Sequence, residues 1–281
     1  MKPKLVKTTL AASLLAGSPL LHAAVIFTDD FSASGTGAWY RGRESGVNPQ
    51  NNGTLANTGN ALVFTENGSG MEEVIGRSFT AQTITVGQTI RLTLDYSQSG
   101  PASIIRFGLY DVTNPIAAHG WGNLDTLGAW QGYTTFVRDG NNSGNVARRE
   151  NGSGTTVTLG PTSGTGNASN PTVTVADITS PANNTNFNTV NNTVYQVLFE
   201  VTRTSTGMDT LLTLTSGITE HFRVTGTTTT VYDTFDTVFL RQGGGSAAPA
   251  TYDNIQVSII PEPSAALLGG LGLLALLRRR R

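Results

Sequence analysis

The 281-residue chain contains no cysteine, which excludes a disulfide-stapled miniprotein and any zinc or iron–sulfur centre held by thiolates. Charge is scarce as well. Only 13% of the residues are charged, against about 25% in an average globular protein, so Asn, Thr, Ser and Gly must cover most of the surface. A disordered polyampholyte and a coiled coil are thereby excluded. Lysine is confined to Lys2, Lys4 and Lys7, and between residues 25 and 260 eleven arginines face eighteen acidic residues, a net charge of −7. An acidic body without lysine lacks the clustered cations that bind phosphate backbones, which removes nucleic acid as a partner. Its one adjacent basic pair, Arg148-Arg149, reads as a solvated turn.

Motifs for nucleophilic or zinc catalysis are missing too. The body has two histidines, His119 and His221, with no Gly-x-Ser-x-Gly elbow and no His-x-x-x-His pair, so neither chemistry has sequence support. A glycosidase needs two carboxylates facing across a cleft. Glu72 and Glu73 are adjacent and on a strand would point to opposite faces. Glu200 and Glu220 lie on separate strand candidates, where they either converge or face solvent.

What is present is sharpest at the two ends. Lys2, Lys4 and Lys7 precede an apolar run over residues 8–21, broken by Pro19 and followed by the small residues Ala23 and Ala24. These are the basic, apolar and cleavage regions of a secretory signal, assigned to residues 1–24. At the other end, Pro261-Glu262-Pro263 precedes thirteen residues of only Ala, Leu and Gly (265–277), then Arg278, Arg279, Arg280 and Arg281. A helix of that run covers roughly 20 Å, short of the ~30 Å hydrocarbon core unless the arginines snorkel. The arginine cluster places that end on the cytoplasmic side of the inner membrane and the body outside it.

This order of Pro-Glu-Pro, short apolar helix and basic cluster resembles the PEP-CTERM sorting signal of Gram-negative bacteria, over residues 261–281. The resemblance implies processing by an exosortase after signal peptidase has acted. The protein would then reach the cell surface or extracellular matrix, where exopolysaccharide is made. By that resemblance Pro261, Glu262 and Pro263 are recognised by the processing enzyme and take no catalytic part in this protein.

Between the ends, residues 25–260 alternate with period two, the mark of half-buried strands. In 89–96, Ile90, Leu92, Leu94 and Tyr96 face one way while Arg91, Thr93 and Asp95 face the other. Residues 195–202 and 254–259 repeat the pattern; 218–224 is less clean because Glu220 shares the apolar face. Further strands are expected at 61–65, 73–79, 103–110, 133–138, 146–150, 155–159, 172–178, 210–215 and 234–240. So many short strands joined by short turns predict one all-β, antiparallel two-sheet β-sandwich. Its size favours a jelly roll over two immunoglobulin-like domains. The Asn/Thr/Ser/Gly-rich stretch 163–192 reads as a surface excursion. Residues 27–31 (Phe-Thr-Asp-Asp-Phe) and 252–257 (Tyr-Asp-Asn-Ile-Gln-Val) resemble the first and last strands of concanavalin-like and carbohydrate-binding-module jelly rolls. That resemblance implies neighbouring terminal strands.

Two sites are expected in the body. Aromatic faces stack on sugars while Asn, Asp and Arg bind hydroxyls, so Trp130, Tyr133, Arg138 and Asp139 form a ligand-site candidate; the competing reading packs Trp130 and Tyr133 into the end of the core. A structural calcium ion takes carboxylate oxygens, and adjacent terminal strands would bring Asp29, Asp30 and Asp253 together for one; the competing reading makes them turn caps. The sequence thus points to an exported, non-catalytic β-sandwich that is associated with exopolysaccharide or binds carbohydrate. A polysaccharide-cleaving hydrolase or lyase and a purely structural surface protein are the alternatives.

Overall fold

The computed structural model describes residues 23–43, 53–65, 73–100, 104–112, 114–119, 130–137, 144–149, 173–175, 177–178, 189–243 and 248–261. The apolar run 8–21, the strand expected at 155–159 and the tail beyond Pro261 lie outside them. No helix among the described residues is long and apolar enough to cross a membrane.

The strands in the first half are β1 (Ala24–Asp29), β2 (Tyr40–Arg43), β3 (Thr54–Asn57), β4 (Leu62–Thr65), β5 (Glu73–Thr83), β6 (Thr89–Gln98), β7 (Ile104–Asp111) and β8 (Gln131–Val137). The second half adds β9 (Gly144–Arg149), β10 (Val173–Val175), β11 (Asp177–Ile178), β12 (Tyr195–Arg203), β13 (Met208–Ser216), β14 (Thr219–Thr228), β15 (Thr234–Gly243) and β16 (Ala250–Ile260). They form a nine-stranded sheet, β11-β14-β13-β12-β6-β16-β4-β3 with β1 also on β16, and a seven-stranded sheet, β10-β9-β8-β7-β15-β5-β2. Every pairing is antiparallel.

The alternation read from the sequence is the reason for this architecture. Along β6, every second residue from Ile90 to Gln98 is buried, so one face of the strand must meet a partner layer. That partner is the inner face of the seven-stranded sheet, where Ile105, Phe107, Leu109, Val238 and Leu240 join the same core. Tyr96 meets Phe107 edge-on, with ring centroids 6.1 Å apart. Each such side chain contributes roughly 1.5–3 kcal/mol when fully buried. The chain crosses between sheets through residues 84–88 and 229–233, and these crossovers are tied together by Ile84 N donating to Asp233 O at 2.8 Å.

Four details differ from the expectations. The strand expected at 172–178 is two strands on different sheets, since β10 pairs with β9 and β11 with β14. Arg148 and Arg149 lie in β9, not in a turn. Glu220 does not share the face of Phe222: the register shifts between Leu214 and Thr215, so Phe222 stands opposite Leu214 while Glu220 stands opposite Thr215. Gly217 (φ 58°) and Ile218 form the hairpin tip, and burial begins only at Phe222. The short strands β2 and β3 were not anticipated; both are four-residue pieces in polar surroundings.

The seven-stranded sheet is covered on its second face as well. Val74, Tyr110, Val112, Ile116, Trp130 and Phe239 form a separate buried cluster there. Residues 112 and 114–116 are pinned over this face by Val112 N donating to Asp236 Oδ1 (3.0 Å) and Ile116 N donating to Ser78 Oγ (2.8 Å). The Tyr110 ring lies over Gly108, where an added Cβ would come within 2.5 Å of it. Glycine is needed at that position to make room for the ring.

Candidate functional site

The terminal strands do lie side by side. β1 pairs with β16 through Ala24–Ile259 to Asp29–Ile255, which brings the three aspartates to one corner. A bulge between Asp253 and Gln256 puts Asn254 at φ 50°, a conformation that Asn tolerates better than most side chains. From there its Nδ2 donates to Asp95 Oδ2 at 2.8 Å. Asp253 Oδ1 accepts from Asn254 N at 2.7 Å. Burial holds the Asp253 carboxyl above its ordinary range, against that hydrogen bond, and the charges of Asp95, Asp30 and Asp29 add to the rise.

The corner is therefore acidic, but its carboxylates are committed to the protein. Asp29 forms an ion pair with Arg77 and accepts from Trp39 Nε1 at 2.9 Å. Arg77 in turn lies 4.4 Å over the Phe27 ring. Asp30 Oδ1 accepts from Ser32 Oγ at 2.7 Å and from Ser32 N at 3.1 Å, and these bonds, the side-chain one first, lower its pKa. Among the described residues no group of three His, Asp or Glu side chains could hold a metal ion. As arranged, Asp29, Asp30 and Asp253 act as an ion-pair partner and turn caps, and the calcium expectation does not fit them.

The aromatic candidates are not available for stacking. Trp130 is 4% exposed and Tyr133 1%, so neither ring presents a face to solvent. Tyr133 sits in the main core, and its hydroxyl accepts from Tyr232 N (3.1 Å) and donates to Thr230 O (3.2 Å), fastening the 229–233 crossover. Trp130 packs on the opposite face of the sheet against Tyr110, with centroids 5.7 Å apart. The structure thus separates two residues that the sequence grouped, because positions 130 and 133 lie on opposite sides of one sheet. Arg138 and Asp139 lie outside the described residues.

The remaining candidates are likewise tied. Glu200 accepts from Arg91 Nε at 2.7 Å, and Glu220 accepts from Arg223 Nε and Nη2 at 2.9 and 2.7 Å. β13 separates their strands, so they do not converge. His119 Nδ1 accepts from Arg41 N at 3.0 Å, and burial followed by the Arg41 charge lowers its pKa. His221 rests edge-on against Tyr195, centroids 5.5 Å apart.

Two features were not singled out in the sequence. Arg106 on β7 stands directly opposite Arg241 on β15, and both are fully buried. An arginine inside an alternating strand carries no sign of burial in one dimension. The second feature is the outer face of the nine-stranded sheet, which bears cross-strand rows of polar groups. One row runs Asp253, Asp95, Gln196 and Thr215; in the next, the pair Gln256 and Thr93 is separated from Arg223 by the apolar Leu198 and the buried Thr213. Neighbouring groups in a row are spaced at about 4.7–4.9 Å, a ladder of donors and acceptors suited to a hydroxyl-rich chain.

No family model matches the chain, and no curated protein matches it. Among solved structures, it is similar to lectin UEA-II complexed with galactose: 8% identity, TM-score 0.47, covering 83% of this chain and 98% of that one. The Emp47p carbohydrate recognition domain gives 9% and 0.48, covering 87% and 99%. A carbohydrate esterase from Shiga toxin-encoding bacteriophage phi24B gives 10% and 0.46, covering 85% and 100%. Likeness this distant assigns neither family nor activity.

Proposed function

We propose that this chain is an exported, non-catalytic jelly-roll protein of the cell surface or extracellular matrix that associates with exopolysaccharide. The observation that carries the reading is the polar outer face of the nine-stranded sheet, with Gln196, Asp95, Thr93 and Gln256 side by side on adjacent strands. Binding there needs no cleft and no catalytic carboxylates. Glu200 and Glu220, each held by an arginine, support binding over cleavage.

Delivery rests on the ends of the sequence. Signal peptidase would remove residues 1–24, and an exosortase would recognise Pro261, Glu262 and Pro263 while residues 265–277 and Arg278, Arg279, Arg280 and Arg281 hold the chain in the inner membrane. Screening the mature protein on a glycan array tests the binding half: Gln196→Ala with Gln256→Ala should weaken the signal without lowering stability. Silence on every glycan refutes it. Replacing the four terminal arginines with serine should impair retention and processing while the sandwich stays folded. Normal sorting of that variant would refute the delivery half.

A further inference from the structure

We propose that one end of the sandwich, built by residues 84–88, 204–207 and 229–233, faces the lipid bilayer while the chain is anchored. The inference rests on the export and sorting reading and adds an orientation to it. Because β1 and β16 are antiparallel with Ala24 opposite Ile259, the chain enters and leaves the sandwich side by side. Ile259 and Ile260 stand opposite Ile90 and Thr89, so both exits lie where residues 84–88 lead into β6.

The three turns form one connected end. Gly87 N donates to Arg203 O at 2.6 Å and Arg203 N to Gln88 O at 2.9 Å, while Ile84 N donates to Asp233 O at 2.8 Å. Val25 and Val86, each 54% exposed, lie at this end and present apolar groups to an interface.

Chain lengths outside the body then fix the geometry. The first apolar run ends at Leu21, three residues before Ala24, and the second begins at Ala265, five residues after Ile260. At no more than about 3.6 Å per residue these connections reach roughly 11 and 18 Å. An eleven-residue strand such as β16 is about 35 Å long at some 3.3 Å per residue. Both tethers are shorter than the body and attached at the same end, so that end is held at the membrane by the two together in the full chain, and by the second alone once signal peptidase has cut. The hairpin tip at Gly217-Ile218 points away, and the polar face of the nine-stranded sheet stands clear of the lipid.

The absence of cysteine makes the test clean. Val86→Cys and Ile218→Cys each give the full chain a single thiol at an exposed position, so neither substitution should disturb folding. Each variant is labelled with a fluorophore and reconstituted into vesicles of phosphatidylethanolamine and phosphatidylglycerol carrying a nitroxide-headgroup lipid. Quenching should be several-fold stronger at position 86 than at 218. Equal or reversed quenching in chains that float with the vesicles overturns the orientation and leaves the anchoring intact. Chains that do not float overturn anchoring and orientation together.

Discussion

Asp236 offers a quantitative test of how the second face of the seven-stranded sheet is closed. Its carboxyl accepts from Val112 N at 3.0 Å where the covering segment begins. Burial pushes it up to about 6 from an ordinary 3.8, with hydrogen bonds from Thr237 and Val112 opposing the rise and the Asp111 charge adding to it. Asp111 is itself raised by burial. At about 1.4 kcal/mol per pH unit, such a displacement corresponds to about 3 kcal/mol. The side chain is only half-buried, and solvent screening reduces this to about 1–2 kcal/mol. The sign follows from linkage: because the folded value exceeds the unfolded one, the fold gains most from Asp236 below pH 3.8, and the gain is lost as pH rises through about 6. Asp236→Asn is neutral at every pH and keeps an oxygen for Val112 N–H. It should therefore be more stable than the parent by about 1–2 kcal/mol at pH 7.5, and equal to it near pH 3.5. Urea unfolding followed by tryptophan fluorescence at both pH values reads this directly. A variant less stable than the parent at pH 7.5 would refute the reasoning, because it would show that the ionised carboxylate is favoured in the fold.

Gly108→Ala should destabilise by about 1–3 kcal/mol in the same assay, since the new methyl collides with a fully buried Tyr110 ring. Tyr133→Phe should cost about 1–2 kcal/mol through the lost bonds to residues 230 and 232, while glycan signals stay unchanged; a loss of binding with stability intact would return Tyr133 to a ligand site. Chelation should leave the melting temperature where it is, and a clear fall would show that the Asp29, Asp30 and Asp253 corner takes a cation after all.

Much of the fold was legible in one dimension because it depends on a period. Alternation in 89–96 and 195–202 became the paired strands β6 and β12 with the expected faces inward, and the opening and closing segments became the neighbours β1 and β16. Period two cannot say which sheet a strand joins, so one apolar stretch at 172–178 divided between two sheets. Nor can it say whether a sheet's second face is wet. Trp130 was a candidate for stacking on sugar, yet it packs with Val112 and Ile116 on a face that alternation alone would leave to solvent. The same limit applied to polar groups: Asp29 carried no sign of Arg77 and Trp39, and Arg106 none of Arg241, because those partners are distant along the chain and meet only across strands. Sequence determined the strands, their inward sides and the two unlike ends. Packing of the two sheets decided which of the candidate side chains remained open to another molecule, since burial and pairing are properties of surfaces that exist only after the sheets close.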